Sequence, residues 1–161
     1  MQQNFIGISE TRLHHILGVA RKAYKIAKEM GFEEDFCRKC FMLGWIHDVG
    51  YEFAEKQSEH PDISAKMLLL INEDTVVSDL KQSFYKAIKE HGKYPSEMTE
   101  EYRILTMADM FVDSNGKEVT VSQRLEDIKN RYGEHSNQYL TACDICYHIG
   151  LTSVNFAANI T

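Results

Sequence analysis

The chain has 161 residues, 43% of them hydrophobic and 26% charged, with two prolines and a formal charge of −6. That composition excludes disorder and collagen-like architecture, and one domain spanning residues 1–161 is the natural reading for a chain that buries roughly two-thirds of its unfolded surface. The acidic balance argues against a nucleic-acid polymer as partner, and the longest aliphatic run, Met67 to Ile71, is far too short to span a membrane.

The apolar periodicity is helical nearly throughout. A first helix is predicted from about Glu10 to Met30, with Leu13, Ile16, Leu17, Ala20, Tyr24 and Ala27 as its stripe and Gly31 as its stop. A second covers about Glu33 to Asp48 and ends at Gly50, and the polar stretch Tyr51 to Glu59 reads as loop. His60 takes the N-cap of a third helix, with Pro61 at its first position, reaching about Ile71. Asp79 to His91 forms a fourth, carrying Leu80, Phe84, Ala87 and Ile88 on one face and ended by Gly92. Thr99 to Val112 forms a fifth, with Glu100 and Glu101 where the helix dipole favours acids. Asn115-Gly116 signals a turn, and Val121, Leu125, Ile128 and Tyr132 mark a sixth helix. Ser136 caps a last helix running to about Ala157, so the C-terminal helices occupy about residues 120–158. The expected fold is an all-α, single-domain bundle of about six to seven helices.

The opening MQQNFIGISE lacks the basic region and apolar stretch of a signal peptide, so a cytoplasmic location is expected. In a reducing compartment Cys37/Cys40 and Cys143/Cys146 are not a disulfide framework. Lying on helices, they read as small packing residues, with a metal or redox role as the alternative.

The histidines and two aspartates carry the chemistry. Asp109 is flanked by Leu105, Ala108 and Val112 at helical spacing, which turns its carboxylate inward. A carboxylate there needs a metal, a cation or hydrogen-bond donors. His91 closes an apolar stripe, and His47 follows Cys40, Leu43 and Gly44 along one face with Asp48 beside it. His14 shares the basic face of Arg21, Lys25 and Lys28, whereas His15 aligns with Val19 and Ile26 and is the inward candidate. His60 is an unfavoured N-cap residue, which suggests another role. Four histidines (His15, His47, His60, His91) with Asp48 and Asp109 match what divalent transition metals take as ligands, and would suffice for two ions sharing a carboxylate. Lys93 and Arg124 read either as phosphate-neutralising cations or as solvated charges.

The order His15, His47-Asp48, Asp109 resembles the H…HD…D signature of the HD-domain metal-dependent phosphohydrolases, in the contexts RLHHILGVARKAYKIA, LGWIHDVGY and ILTMADMFVD, over roughly residues 12–112. The resemblance implies an HD-type helical bundle in which His15, His47, Asp48 and Asp109 hold one ion, with Asp48 bridging to a second. His60 in SEHPDISAKML and His91 in IKEHGKY are most similar to the second-site histidines of the bacterial symmetrical diadenosine tetraphosphate hydrolases, which use two irons. HGKYP departs from that branch after His91, and it lacks the paired histidines that precede the GYP element of cyclic-dinucleotide phosphodiesterases. DSNGKEVTVSQRLEDIKNRYG resembles a subgroup of small uncharacterised HD proteins. Asp113 there either holds a ligand or a metal-bound water, or is an exposed helix-end acid.

The activity expected from this resemblance is hydrolysis of a nucleotide or other small phosphorylated substrate by a metal-activated hydroxide. His47, Asp48 and Lys93 would be catalytic, and Lys93, Asp113 and Arg124 would contact substrate. One or two divalent ions are implied, iron or manganese, with nickel, zinc or magnesium as other occupants. A homodimer is compatible with this reading. The alternatives are a non-catalytic metal-bearing nucleotide sensor and a di-iron oxygenase.

Overall fold

The computed structural model describes residues 4–74 and 82–152. Among these it is all-α, with seven α-helices: α1 Glu10–Glu29, α2 Glu34–Ile46, α3 His60–Asp74, α4 Gln82–Glu90, α5 Glu100–Met110, α6 Val121–Tyr132 and α7 Asn137–His148. A single antiparallel bridge, Val112 to Glu118, is the β-pairing among the described residues. No helix among them is long and apolar enough to cross a membrane. The predicted start of the fourth helix at Asp79, its stripe residue Leu80 and the predicted end of the last helix at Ala157 lie outside the described residues.

Side chains cap several of these helices. Ser9, Thr99, Thr120 and Ser136 each accept a backbone N–H from the first turn of the adjoining helix, satisfying one of the donors a helix start leaves free. The main core joins α1 to α5 and takes Ile145 and Ile149 from the C-terminal end, while Met110, Val121, Leu125, Cys143 and Cys146 form a smaller core that seats α6 and α7. All four cysteines are free and buried in these cores.

Several predicted boundaries and faces are corrected. The buried face of α1 is rotated toward His15 and Ile26, so Leu13 is 40% exposed. The helix α2 ends at Ile46, leaving His47 as its C-cap and Asp48 in the turn beyond. Instead of open loop, the stretch predicted from Tyr51 to Glu59 carries the end of one 3-10 turn, Val49–Glu52, and all of a second, Gln57–Glu59. The N-terminal segment braces the first: Ile6 and Gly7 donate backbone N–H groups to the Ala54 and Tyr51 carbonyls, and Ile8 donates to Glu52 Oε2. His60 is not an N-cap. It has helical dihedrals (φ −59°, ψ −34°) and begins α3 directly after the second turn. Helix α7 stops at His148, and the left-handed Gly150 (φ +79°) follows it.

Close contact of α1 with α2 depends on Gly44. A Cβ there would lie 2.6 Å from the Ala20 Cα and 2.8 Å from its N, both backbone atoms that cannot swing aside. Gly44→Ala should therefore lower unfolding free energy by about 1–3 kcal/mol through overpacking. A urea midpoint equal to wild type would show that the two helices separate without cost.

Candidate metal centre

Five elements deliver six polar side chains to one place. His15 comes from α1, His47 and Asp48 from the end of α2, His60 from the first turn of α3, His91 from the turn after α4, and Asp109 from the end of α5. His15, His47, Asp48 and His91 are all under 8% exposed, in a chain where such groups need partners.

The imidazoles share one orientation. Each Nδ1 lies against a backbone carbonyl: His15 on Asp113 at 2.8 Å, His47 on Gly44 at 2.6 Å, His60 on Gln57 at 2.5 Å and His91 on Ile88 at 2.6 Å. A carbonyl only accepts, so each Nδ1 carries hydrogen and donates, and each neutral ring has its lone pair on Nε2. Those Nε2 atoms face carboxylate oxygens. Asp48 Oδ1 lies 3.5 Å from His47, 3.3 Å from His60 and 3.3 Å from His91, while the His60 and His91 Nε2 atoms are 3.0 Å apart. His15 Nε2 stands 3.1 Å from Asp109 Oδ1 and 3.8 Å from Asp48 Oδ2.

Lone pairs facing lone pairs at this distance repel unless a proton or cation lies between them. His47 Nε2 and Asp109 Oδ1 are buried and have no hydrogen-bond partner among the described residues. Donor atoms of His15, His47 and Asp109, and of His47, Asp48 and His91, fall within 4.8 Å of one another. Ligands at right angles around an ion with bonds of about 2.1 Å stand about 3 Å apart, so the closest of these spacings fit. The donor set, imidazole nitrogen with carboxylate oxygen, is chemically right for a divalent transition metal.

Electrostatics follow the same geometry. Burial alone would raise both aspartates, yet His47, His60 and His91 hold Asp48 well below the usual carboxylate range. His15 and the Arg124 charge do the same for Asp109. Burial pushes His47 down to about 4, so it is neutral at pH 7. For His15 and His91 burial is outweighed by Asp109 and Asp48 respectively, and both are raised.

A cavity of about 580 Å³ opens from this cluster, with His15, Asp48, His60, His91 and Asp109 in its wall. Arg12 donates from Nη1 to Asp48 Oδ2 at 2.8 Å, and its guanidinium lies over the Tyr51 ring at 4.1 Å. Tyr51 in turn stacks on His60, with centroids 3.9 Å apart and planes 12° apart. The sequence reading missed both residues. The signals that could have found them are spacings: Arg12 precedes His15 by three residues, hence shares its helix face, and Tyr51 comes three residues after Asp48 across a tight turn.

Arg124 and Lys93 both line the cavity. Arg124 places Nη2 3.6 Å from Asp109 Oδ1 and Nη1 3.3 Å from Asp127 Oδ2, while Lys93 is exposed. Asp113 follows α5 in a turn. Its carboxylate points into its own turn, where Oδ1 accepts the backbone N–H groups of Asn115 at 2.8 Å and Lys117 at 2.9 Å. Its carbonyl orients His15. His135 and His148 are exposed and do not line the cavity. Cys146 lines the cavity, but burial pushes its thiol up to about 12, as it does for Cys40. Both are inert at neutral pH.

Asp113→Ala frees the turn that aims His15. Because such supporting contacts typically govern metal affinity by 10–100-fold, affinity in a calorimetric titration should fall by about that factor while helicity is unchanged. Wild-type affinity in this variant would mean that the Asp113 carbonyl holds its place without the side chain.

A family model described as HD domain matches residues 12–112, from α1 to just past α5, and includes all six clustered residues. No curated protein and no solved structure matches the chain.

Proposed function

The chain belongs to the HD-domain family, and we propose that it is a metal-dependent phosphohydrolase of a nucleotide or another small phosphorylated substrate. The observation that carries this reading is the common orientation of four imidazoles: each turns Nδ1 to a backbone carbonyl, which directs its Nε2 toward two carboxylates. His15, His47, Asp48 and Asp109 would hold one ion, and His60 and His91 a second shared through Asp48. Bound there, divalent ions supply Lewis acidity toward phosphoryl oxygens and lower the pKa of water.

The chain's own residues orient the substrate. Arg12, held by Asp48 and Tyr51, keeps its remaining N–H donors for phosphoryl oxygens entering the cavity. Arg124 does so from the opposite carboxylate, Asp109. Lys93 adds positive charge at the cavity wall, where it favours an anionic ligand.

The test uses protein purified without a histidine tag, loaded with Mn²⁺ or Fe²⁺, and offered nucleoside monophosphates, dinucleoside polyphosphates and cyclic nucleotides. Turnover of at least one class, removed by chelation, is expected. Tight metal binding with no turnover on any class would instead favour a metal-bearing sensor, and failure to bind metal would remove both readings.

A further inference from the structure

The turn that follows His47 and Asp48 is seated on the start of α3. Gly50 makes this contact possible, because a Cβ there would lie 2.1 Å from the His60 carbonyl oxygen and 2.8 Å from Ser64 N. The Gly50 N–H donates to the Oγ of Ser64, a fully buried residue, at 2.8 Å. The N-terminal segment holds the same turn: Gly7 donates to the Tyr51 carbonyl at 3.0 Å, and Phe5 meets Phe53 edge to face. The Tyr51 N–H in turn donates to the Asp48 carbonyl at 3.2 Å. Tyr51 is thus tied at both its backbone N–H and its carbonyl, and it is only 4% exposed.

Its ring has a partner over each face. The His60 imidazole lies parallel to it with centroids 3.9 Å apart, and the Arg12 guanidinium carbon stands 4.1 Å from the same centroid. Two planar groups that close to one centroid cannot share a face, so the ring is sandwiched between them. The other imidazole contacts are tilted or edge-on: 59° for His15 with His47, 75° for His47 with His91 and 67° for His60 with His91. Among the described residues, His60 is therefore the one imidazole of the cluster stacked face to face. It is also the least enclosed, its side chain 12% exposed against 3%, 1% and 7% for His15, His47 and His91. The Nδ1 hydrogen bond to Gln57 aims its ring, and the stack fixes the tilt of the plane. The contacts close a loop. Asp48 Oδ2 accepts from Arg12, Arg12 covers Tyr51, Tyr51 covers His60, and His60 Nε2 returns to Asp48 Oδ1 at 3.3 Å.

Resting on the two-ion phosphohydrolase reading, we infer that Tyr51 is a positioning residue whose ring face holds the His60 imidazole in line with Asp48 for the second ion. It acts through His60, with Arg12 pressing the ring from the other side. The property that matters is the flat face, not the hydroxyl, because an aliphatic side chain would let the imidazole tilt away from the shared carboxylate. The ligands of the first ion have supports of their own, such as the Asp113 carbonyl on His15 and the Gly44 carbonyl on His47. The effect of losing the stack is therefore confined to one ion.

Calorimetric titration of Mn²⁺ into the metal-free protein tests this, with circular dichroism as the check on folding. Wild type should take up two ions, and Tyr51→Phe should keep both at wild-type affinity. Tyr51→Leu should weaken one ion by about 10–100-fold and leave the other unchanged. In electron paramagnetic resonance, the coupled signal of an ion pair should give way in that variant to the signal of isolated Mn²⁺. Tyr51→Met, an unbranched side chain without a flat face, takes its place if Tyr51→Leu does not fold. Both ions held at full affinity in the leucine or methionine variant overturn the inference. So do equal losses at both ions, a loss in Tyr51→Phe, or a single ion in wild type. Failure here is distinguishable from failure of the hydrolase reading: selective loss of one ion in a protein that turns over no substrate sinks only the latter, and turnover in a Tyr51→Leu variant that keeps both ions sinks only the former.

Discussion

Asp48→Asn is expected to remove metal from both halves of the cluster and to lower any hydrolysis by on the order of 10³-fold or more. The reason is geometric. Asp48 meets all four imidazoles, with Oδ1 at 3.3–3.5 Å from His47, His60 and His91 and Oδ2 at 3.8 Å from His15. Asn has the same size, so packing is preserved. It lacks the charge, and its amide nitrogen, once turned toward the histidines, would present hydrogens where a metal needs a lone pair. Arg12 loses its charged partner at 2.8 Å as well, so the phosphate-orienting group is disturbed by the same change. Elemental analysis and steady-state rates on the same preparation check this. Full metal content with wild-type turnover would mean that Asp48 is neither ligand nor organiser.

The contrast between Asp48 and Asp113 shows what a linear sequence can convey. Asp48 was readable because its neighbour His47 and the stripe Cys40, Leu43, Gly44 point to one helix end, and His15 and Asp109 lie on apolar stripes that demand a compensating partner. Helix existence was readable for the same reason, since apolar periodicity persists through α1 to α6. The part Asp113 plays beside His15 was not legible, because it is a carbonyl and a turn, which side-chain chemistry does not advertise. Tyr51 sits in a polar run, and only the fold shows it between Arg12 and His60. On α6, the single stripe Val121, Leu125, Ile128, Tyr132 divides in the structure: the first two enter a core, Ile128 packs against that core and also lines the cavity, and Tyr132 lines the cavity. A period of 3.6 identifies an apolar face but not whether protein or ligand will cover it.

Loading with Mn²⁺ should raise the thermal midpoint by roughly 8–16 °C when free metal is about 1,000-fold above its dissociation constant. The basis is about 4 kcal/mol of linkage and 2–4 °C per kcal/mol for a chain of this size. The shift depends on pH with a definite sign. His15 and His91 have folded values raised above 6.5, so in the metal-free protein their charge contributes stability below pH 6.5, and this is lost as pH rises through the raised values. His47, depressed to about 4, acts oppositely, costing stability as pH falls below 6.5. Metal and proton compete for the same Nε2 lone pairs. Protonated His15 and His91 thus stabilise the empty site at the expense of the loaded one, and the difference between loaded and metal-free midpoints is the quantity to read. It should be largest near pH 8 and shrink markedly by pH 5.5, with metal concentration held fixed. A difference that stays constant across that range would mean that the stabilising ion binds away from the histidine cluster.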